Sequence, residues 1–239
     1  TNWKNEVDID KAHTNAASHY SESLDCLVEL IQNSFKSITE RMDHEKGEGL
    51  KPTRGEIEIR VNVPEKKIIV IDNGKGFPNF EQSIGIGKSG WKKTTPEAGF
   101  GYGLSTMIMM SDEALISSRD LENISRTIKF KDSYLVHWPK KNQRKKEWHE
   151  HSRTGPSPYK GAKGPETKVS LKGTKLAYAE LWEKIEEWSK LVDSDGDPID
   201  VSEMLEGALL WHSPLGYSRI LWGQATKAPD IRYKLIFKP

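Results

Sequence analysis

The chain has 239 residues, 35% hydrophobic and 30% charged, which is enough apolar material for a sizeable core and excludes a wholly disordered chain. Its 36 Lys and Arg stand against 35 Asp and Glu, so a formal net charge of +1 excludes a globally basic nucleic-acid binder and a globally acidic solvating chain. The single cysteine, Cys26, allows no internal disulfide and suits a reducing compartment, cytoplasmic or nuclear.

The opening Thr1-Asn2-Trp3-Lys4 is polar and has no signal-peptide layout. No apolar run approaches the ~20 residues of a membrane helix, so no membrane role is expected. A first residue other than Met fits a piece of a longer protein.

Residues Ser21 to Met42 predict a helix. Leu24, Leu27, Val28, Ile31, Phe35, Ile38 and Met42 recur at three- and four-residue steps. Ser21 to Ser23 offer caps, and Gly47, Gly49 and Pro52 end the pattern. Glu56 to Val61 alternates with period two, and Lys67 to Asp72 is an apolar run closing on a carboxylate. With Asn62, Pro64 and Glu65 between them, the two strands predict a hairpin.

Residues Asn73 to Gly103 form a long glycine-rich segment, and long loops in compact domains are usually functional or disordered. Gly103 to Met110 predicts a short buried helix. Strands are expected at Glu113 to Ser118, Ser125 to Phe130, Tyr134 to Trp138 and Thr167 to Leu171, with a loop from Pro139 to Pro165. Ala177 to Val192 is amphipathic, with Leu181, Trp182, Ile185, Trp188 and Leu191 on one face. Val201 to Trp211 predicts a helix and Arg232 to Phe237 a last strand. This order points to an α+β fold, a two-layer α/β sandwich with helices on one face of a mixed, largely antiparallel sheet.

Three constellations carry chemistry. Glu29 and Asn33 are one helical turn apart, on a face bordering the apolar stripe. A carboxylate and an amide oxygen so placed can hold a water and a hard cation. Taken alone, the pair also fits a solvated Glu and a helix-interior Asn. In Asp72-Asn73-Gly74-Lys75-Gly76 a strand ends on a carboxylate that can accept from an exocyclic amine, and the alternate glycines admit a flat ligand. An ordinary Asn-Gly turn fits the same letters. In Gly99-Phe100-Gly101-Tyr102-Gly103-Leu104 glycines lead into a helix, whose N-terminal amides favour an anion. No Gly-Lys-Ser/Thr follows for a P-loop, and no βαβ unit surrounds it for a dinucleotide fingerprint.

Taken together, the three resemble the GHKL superfamily of Bergerat-fold ATPases. Glu29 to Asn33 is similar to its N box, Asp72 to Gly76 to its first glycine box, and Gly99 to Gly103 to its second. Thr167 resembles the threonine of a final strand motif, although Gly164-Pro165-Glu166 precedes it instead of Gly alone. The resemblance runs from about Ser21 to Leu171. It implies Mg²⁺-dependent ATP binding and slow hydrolysis to ADP, as a conformational switch in a larger protein.

The roles it implies are specific. Asn33 would bind Mg²⁺, and Glu29 would activate water as general base. Asp72 would recognise the adenine amine, supported by Thr167, with Gly74 and Gly76 shaping the base pocket. The backbone of Gly99, Phe100, Gly101, Tyr102, Gly103 and Leu104 would hold phosphates. Gly85 to Lys93 would be a lid, with Lys88 either on a phosphate or simply facing solvent.

Glu29 favours the hydrolases, and the second-box segment is most similar to the MORC, MutL and heat-shock-chaperone branch. Lys36, where those families usually carry Asp, resembles histidine kinases instead. A histidine-kinase-type catalytic domain and a nucleotide-gated binding module without turnover therefore stand as alternatives. His149 and His151 lie after the nucleotide motifs and lack the surroundings of a phosphoacceptor. A nucleotide-dependent homodimer is the expected assembly.

The run Lys140 to Lys146 contains five cations between Trp138 and Trp148, and it fits either nucleic-acid contact or a solvated loop. Asp193 to Asp200 begins like a calcium loop, but Pro198 and Met204 occupy its key positions, so a surface turn is expected. Residues 1–175 are expected to form the ATP-binding domain. Residues 176–239 would be an extension packed on it or leading to a further domain.

Overall fold

The computed structural model describes residues 24–77, 103–122, 124–131, 164–213, 215 and 230–239. Helix α1, Asp25–Gly47, buries the expected stripe, with Leu27, Ile31 and Ile38 fully inaccessible. Leu24 stands at its N-cap without a side-chain cap bond. The helix runs beyond Met42 because Arg41 and Glu45, polar by letter, are buried as a pair. Arg41 Nη1 and Glu45 Oε1 are 3.7 Å apart, each side chain 2% exposed. Arg41 donates to the carbonyls of Thr53 and Arg54 at 2.7 and 3.2 Å. Glu45 Oε2 accepts from the Thr53 amide at 2.8 Å. The pair extends the helix and straps the following loop to it.

Strand β1, Gly55–Asn62, and strand β2, Lys67–Asp72, form the expected hairpin, with Asn62 opposite Lys67 and Ile57 opposite Asp72. Gly55 is needed where the strand enters, since a Cβ there would stand 2.6 Å from Ile38 Cγ2. Helix α2, Gly103–Met110, is followed by β3, Glu113–Arg119, β4, Ser125–Lys131, and β5, Glu166–Lys172. Helices α3, Ala177–Trp188, and α4, Val201–His212, precede β6, Ile231–Lys238.

The six strands make one sheet in the order β4-β3-β5-β2-β1-β6. Only β1 and β6 run parallel; the other described pairings are antiparallel. Successive residues alternate between faces, so Ile57, Ile59, Val61, Ile68 and Val70 are buried while Glu56 and Arg60 are exposed. Helix α1 packs on β1 and β2, and α4 on β6. The layered α+β architecture is the one expected, and β6 and α3 share its sheet and core.

Helix α3 is anchored by two buried side chains. The Tyr178 hydroxyl donates to the Met107 carbonyl of α2 at 2.9 Å, and Trp182 Nε1 donates to the Gly173 carbonyl at 2.7 Å. It stops at Trp188, short of the expected Val192, and Leu191 and Val192 are exposed. Val192 instead bridges Pro198 across a turn whose amides, from Asp195 and Asp197, are taken by Asp193 Oδ1. The acidic loop thus turns on its own carboxylate. Cys26 is fully buried, and burial pushes its thiol up to about 12, leaving it unreactive. Among the described residues no helix is long and apolar enough to cross a membrane. The strand expected at Tyr134 to Trp138 and the basic run Lys140 to Lys146 lie outside the described residues.

Glu45→Ala should be among the most damaging substitutions in α1. It strands the Arg41 guanidinium in the core and frees the Thr53 amide, a change that typically costs about 3–5 kcal/mol. Urea unfolding of the two proteins checks this, and a loss under 1 kcal/mol would show that the buried pair is dispensable.

Candidate functional site

The site is built on α1 and the end of β2. Glu29 and Asn33 lie on neighbouring turns, both half-buried. Asn33 Nδ2 donates to the Glu29 carbonyl at 2.9 Å and to Glu29 Oε1 at 3.3 Å. With its amino group so engaged, the amide oxygen Oδ1 is the atom Asn33 has left to offer. Burial raises the Glu29 pKa, the Asn33 hydrogen bond opposes that, and the charge of Asp25 adds to it. A carboxylate of raised basicity suits proton abstraction better than an ordinary one.

One residue further along α1, Ser34 faces the sheet. Its hydroxyl donates to Asp72 Oδ2 at 2.9 Å, joining helix to strand. The other carboxylate oxygen, Oδ1, accepts from the Gly74 amide at 2.9 Å. Asp72 is only 4% exposed. Burial pushes its pKa up to about 7, against the hydrogen bonds from Gly74 and Ser34 and the charge of Arg41, which pull it down.

The glycines after Asp72 are steric necessities. A Cβ on Gly74 would meet Ser37 Oγ at 2.2 Å and Asp72 Oδ1 at 2.7 Å. Gly76 has φ +73°, and a Cβ there would meet the Arg119 carbonyl oxygen at 2.4 Å. The turn is tied further by the Lys75 amide donating to the Ser37 carbonyl and by an ion pair between Lys75 and Glu40.

Strand register sets the floor. Asp72 lies opposite Thr167 on β5, and Thr167 opposite Ser118 on β3, all three buried. The Thr167 and Ser118 hydroxyls are 3.5 Å apart, and the Phe77 amide donates to Ser118 Oγ at 2.8 Å. A carboxylate and two hydroxyls thus form a buried polar row beneath the glycine turn. Leu104, at the start of α2, is buried, and α2 packs against α1.

The structure therefore brings together Asp72, Gly74, Gly76 and Thr167, and links them through Ser34 to the helix that carries Glu29 and Asn33. Gly103 and Leu104 open α2. Lys88, Gly99, Phe100, Gly101 and Tyr102, with the expected lid, lie outside the described residues, as do His149 and His151. Sequence reasoning missed Ser34, Ser37 and Ser118. Ser34 follows Asn33 directly, and Ser118 sits on the inward phase of an alternating strand, yet serines are too common to stand out without the register.

No family model matches the chain. No curated protein matches it either. Among solved structures, the ATPase region of Saccharomyces cerevisiae topoisomerase II matches with a TM-score of 0.50 at 15% identity, over 91% of this chain and 47% of that one. The same region bound to ICRF-187 (dexrazoxane) gives a TM-score of 0.47 at 16% identity, over 87% and 47%. The chain spans about half the length of these structures.

The buried carboxyl makes a testable demand on stability. An ordinary aspartate ionises near 3.8, and Asp72 in the folded protein near about 7. The folded state holds this proton more tightly than the unfolded state does. Stability from this group is therefore highest below about pH 4, falls as pH rises toward 7, and is level above it. At about 1.4 kcal/mol per unit, the loss between pH 5 and pH 8 is on the order of 3 kcal/mol. Asp72→Asn can keep the Gly74 bond on its oxygen and turn its amino group to Ser34. It should lose less stability over that interval, by urea unfolding without nucleotide; an identical drop in both proteins would show that Asp72 is not the group responsible.

Helices over one face of a mixed six-stranded sheet, and the likeness to the topoisomerase II ATPase region, show that this chain has the fold of that ATPase region.

Proposed function

We propose that this chain binds ATP with Mg²⁺ and hydrolyses it slowly, so that nucleotide state drives a conformational switch in a larger protein. The observation that carries the reading is the anchored carboxylate of Asp72. It is fixed by Ser34 and Gly74 beside glycines that leave no room for side chains, with Glu29 and Asn33 on the same helix as Ser34.

Each oxygen of Asp72 accepts one described bond and keeps a lone pair for a donor on the ligand. An adenine amine can fill it, with Thr167 beside it in the strand row. Guanine presents a carbonyl at the equivalent edge, which a carboxylate repels. Gly74 and Gly76 let a flat base approach the backbone.

Asn33 Oδ1 is a neutral oxygen of the kind Mg²⁺ accepts when a triphosphate brings most of the charge. The ion would supply charge neutralisation on the phosphates. Glu29, held by Asn33, would take the proton from the attacking water. The opening residues of α2, Gly103 and Leu104, would present amides to phosphate, together with Gly99 to Tyr102, and Lys88 would close over it.

The division at residue 175 belongs to this reading. The nucleotide motifs all precede it, while α3, α4 and β6 add to the same core and sheet. We retain the MORC, MutL and heat-shock-chaperone branch as the reading of the second glycine box, a cytoplasmic or nuclear setting, and a nucleotide-dependent homodimer as the working assembly.

Isothermal titration with ATP and GTP, with and without Mg²⁺, tests the binding. ATP should bind and GTP should bind at least tenfold more weakly, while Asp72→Ala should cost about 1.5–3 kcal/mol of ATP affinity. Equal affinities for the two nucleotides would remove Asp72 from the base site. Glu29→Gln should keep ATP affinity and lower phosphate release by about 10²–10⁴-fold. Rates equal to wild type over a concentration series, with ATP bound, would leave the nucleotide-gated binding module as the correct reading.

A further inference from the structure

The sheet has a second face, and its charge is not that of the whole chain. Register places side chains alternately toward the helices and away from them. On the outward face, at the end of the sheet opposite Asp72, adjacent strands carry Lys67 beside Lys172, and Lys172 beside Glu113, which is followed by Lys131. Lys238, opposite Asn62, extends the same line on β6. At about 4.8 Å per strand this line is about 24 Å long. One step along the strands lie Arg60 and Lys129, with Leu115, Ile69 and Ile236 in the same row, and one step further Lys168 and Lys234, with Ile71 and Glu58 between them.

Acids do not balance this array. Glu58 is taken by Arg60, and Lys67 lies 3.7 Å from Glu65. Lys129, Lys131, Lys168, Lys172, Lys234 and Lys238 make no ion pair with any described residue. The row level with Asp72 is different. There Glu56 lies opposite Arg232 and Glu166 opposite Arg119, and Glu56, Glu166 and Arg232 line a hollow of about 390 Å³. The compensating acids of a chain with net charge +1 are concentrated elsewhere, including Glu180, Glu183, Glu186 and Glu187 of α3 and the aspartates of the 193–200 turn.

We propose that this outward end of the sheet docks duplex DNA through its phosphates, without reading base sequence. Spread cations on a flat surface match a regular polyanion, and such contacts carry affinity but no sequence information. Single strands are disfavoured because no aromatic side chain stands in the array for bases to stack on. Duplex RNA is recognised by shape and by 2′-hydroxyl and phosphate contacts across a shallow groove, whereas the charged groups of this face are mainly cations suited to phosphates alone. A membrane surface would ask for protruding apolar side chains; Ile69, Ile71, Leu115 and Ile236 share this face but are only partly exposed among the charged residues, and the more exposed Leu50, Leu176, Leu191, Val192 and Trp211 lie outside the strands. The proposal uses a different surface from the nucleotide site and does not depend on ATP being the ligand there.

Fluorescence anisotropy of a labelled mixed-sequence duplex, titrated with the whole chain over a series of salt concentrations, tests it. Wild type should bind at low salt, and its log affinity should fall steeply with log salt. Changing Lys131, Lys168, Lys172 and Lys238 together to Gln should weaken low-salt binding at least about tenfold and flatten the slope by about one unit per lysine. The single variants Lys131→Gln and Lys172→Gln give the same reading at about one unit each should the fourfold variant fold poorly. Lys184→Gln with Lys190→Gln, on the helical side, should change nothing. Unaltered binding or slope in the sheet-face variants overturns the proposal. So does tighter binding of a single strand or of an RNA duplex of the same sequence. Phosphatidylserine vesicles captured in place of the duplex, or low-salt self-association through the acidic helices with no duplex bound, would also overturn it.

Discussion

The Asp72 carboxylate sits between the two layers of the fold, and its hydrogen bonds come from both. Ser34 reaches it from α1 and Gly74 from the turn that continues β2. A buried charge is tolerated only when donors replace lost water, and two donors plus the distant Arg41 leave this one incompletely compensated, as its raised pKa records. The free site is therefore short of a hydrogen-bond donor. A ligand amine would supply it, favour the ionised carboxylate and release a proton near neutral pH.

That arrangement requires α1 to lie at one height and rotation over the sheet. The apolar stripe sets the rotation, since Leu27, Ile31 and Ile38 must face the strands. It leaves sliding along the axis open, because a smooth hydrocarbon contact is not directional. The Arg41–Glu45 pair restricts sliding by bonding to Thr53 and Arg54 just before β1 begins, and Gly55 lets that strand close on Ile38. The site and its support thus occupy two stretches of one helix, with Ser34 toward one end and Glu45 toward the other.

What could be read from the letters follows from this division of labour. Period-two and helical spacing gave the strands and α1, because burial of one face writes itself into hydropathy. The alternate glycines were legible as a pattern, but their cause was not: it needs Ser37 and the Arg119 carbonyl, one from a helix and one from a strand distant in sequence. The helix was expected to end at Met42, because the buried pair of Arg41 and Glu45 has the same letters as a surface one and extends no apolar stripe. Ser118 belongs to the site only because β5 places Thr167 between it and Asp72, and a register of that kind cannot be seen one strand at a time. The helical continuation to Val192 failed for a similar reason, since Asp193 binds the turn's own amides more effectively than another helical turn would bury Leu191.

The same alternation that buries Asp72 leaves Lys67 looking outward, and the two residues are the ends of one strand. Five residues of extended chain separate them by about 17 Å, roughly twice the Debye length at physiological salt. They also face opposite sides of the sheet, with its backbone between them. Direct Coulomb coupling between an anion on the outer lysines and the Asp72 site is therefore small. Any larger coupling has to pass through an element with two arrangements, and a β-strand fully paired on both sides, as β2 is with β1 and β5, is a poor candidate. Helix α1 is itself held against sliding by the bonds of Arg41 and Glu45 to Thr53 and Arg54, so the two faces of the sheet are expected to act independently.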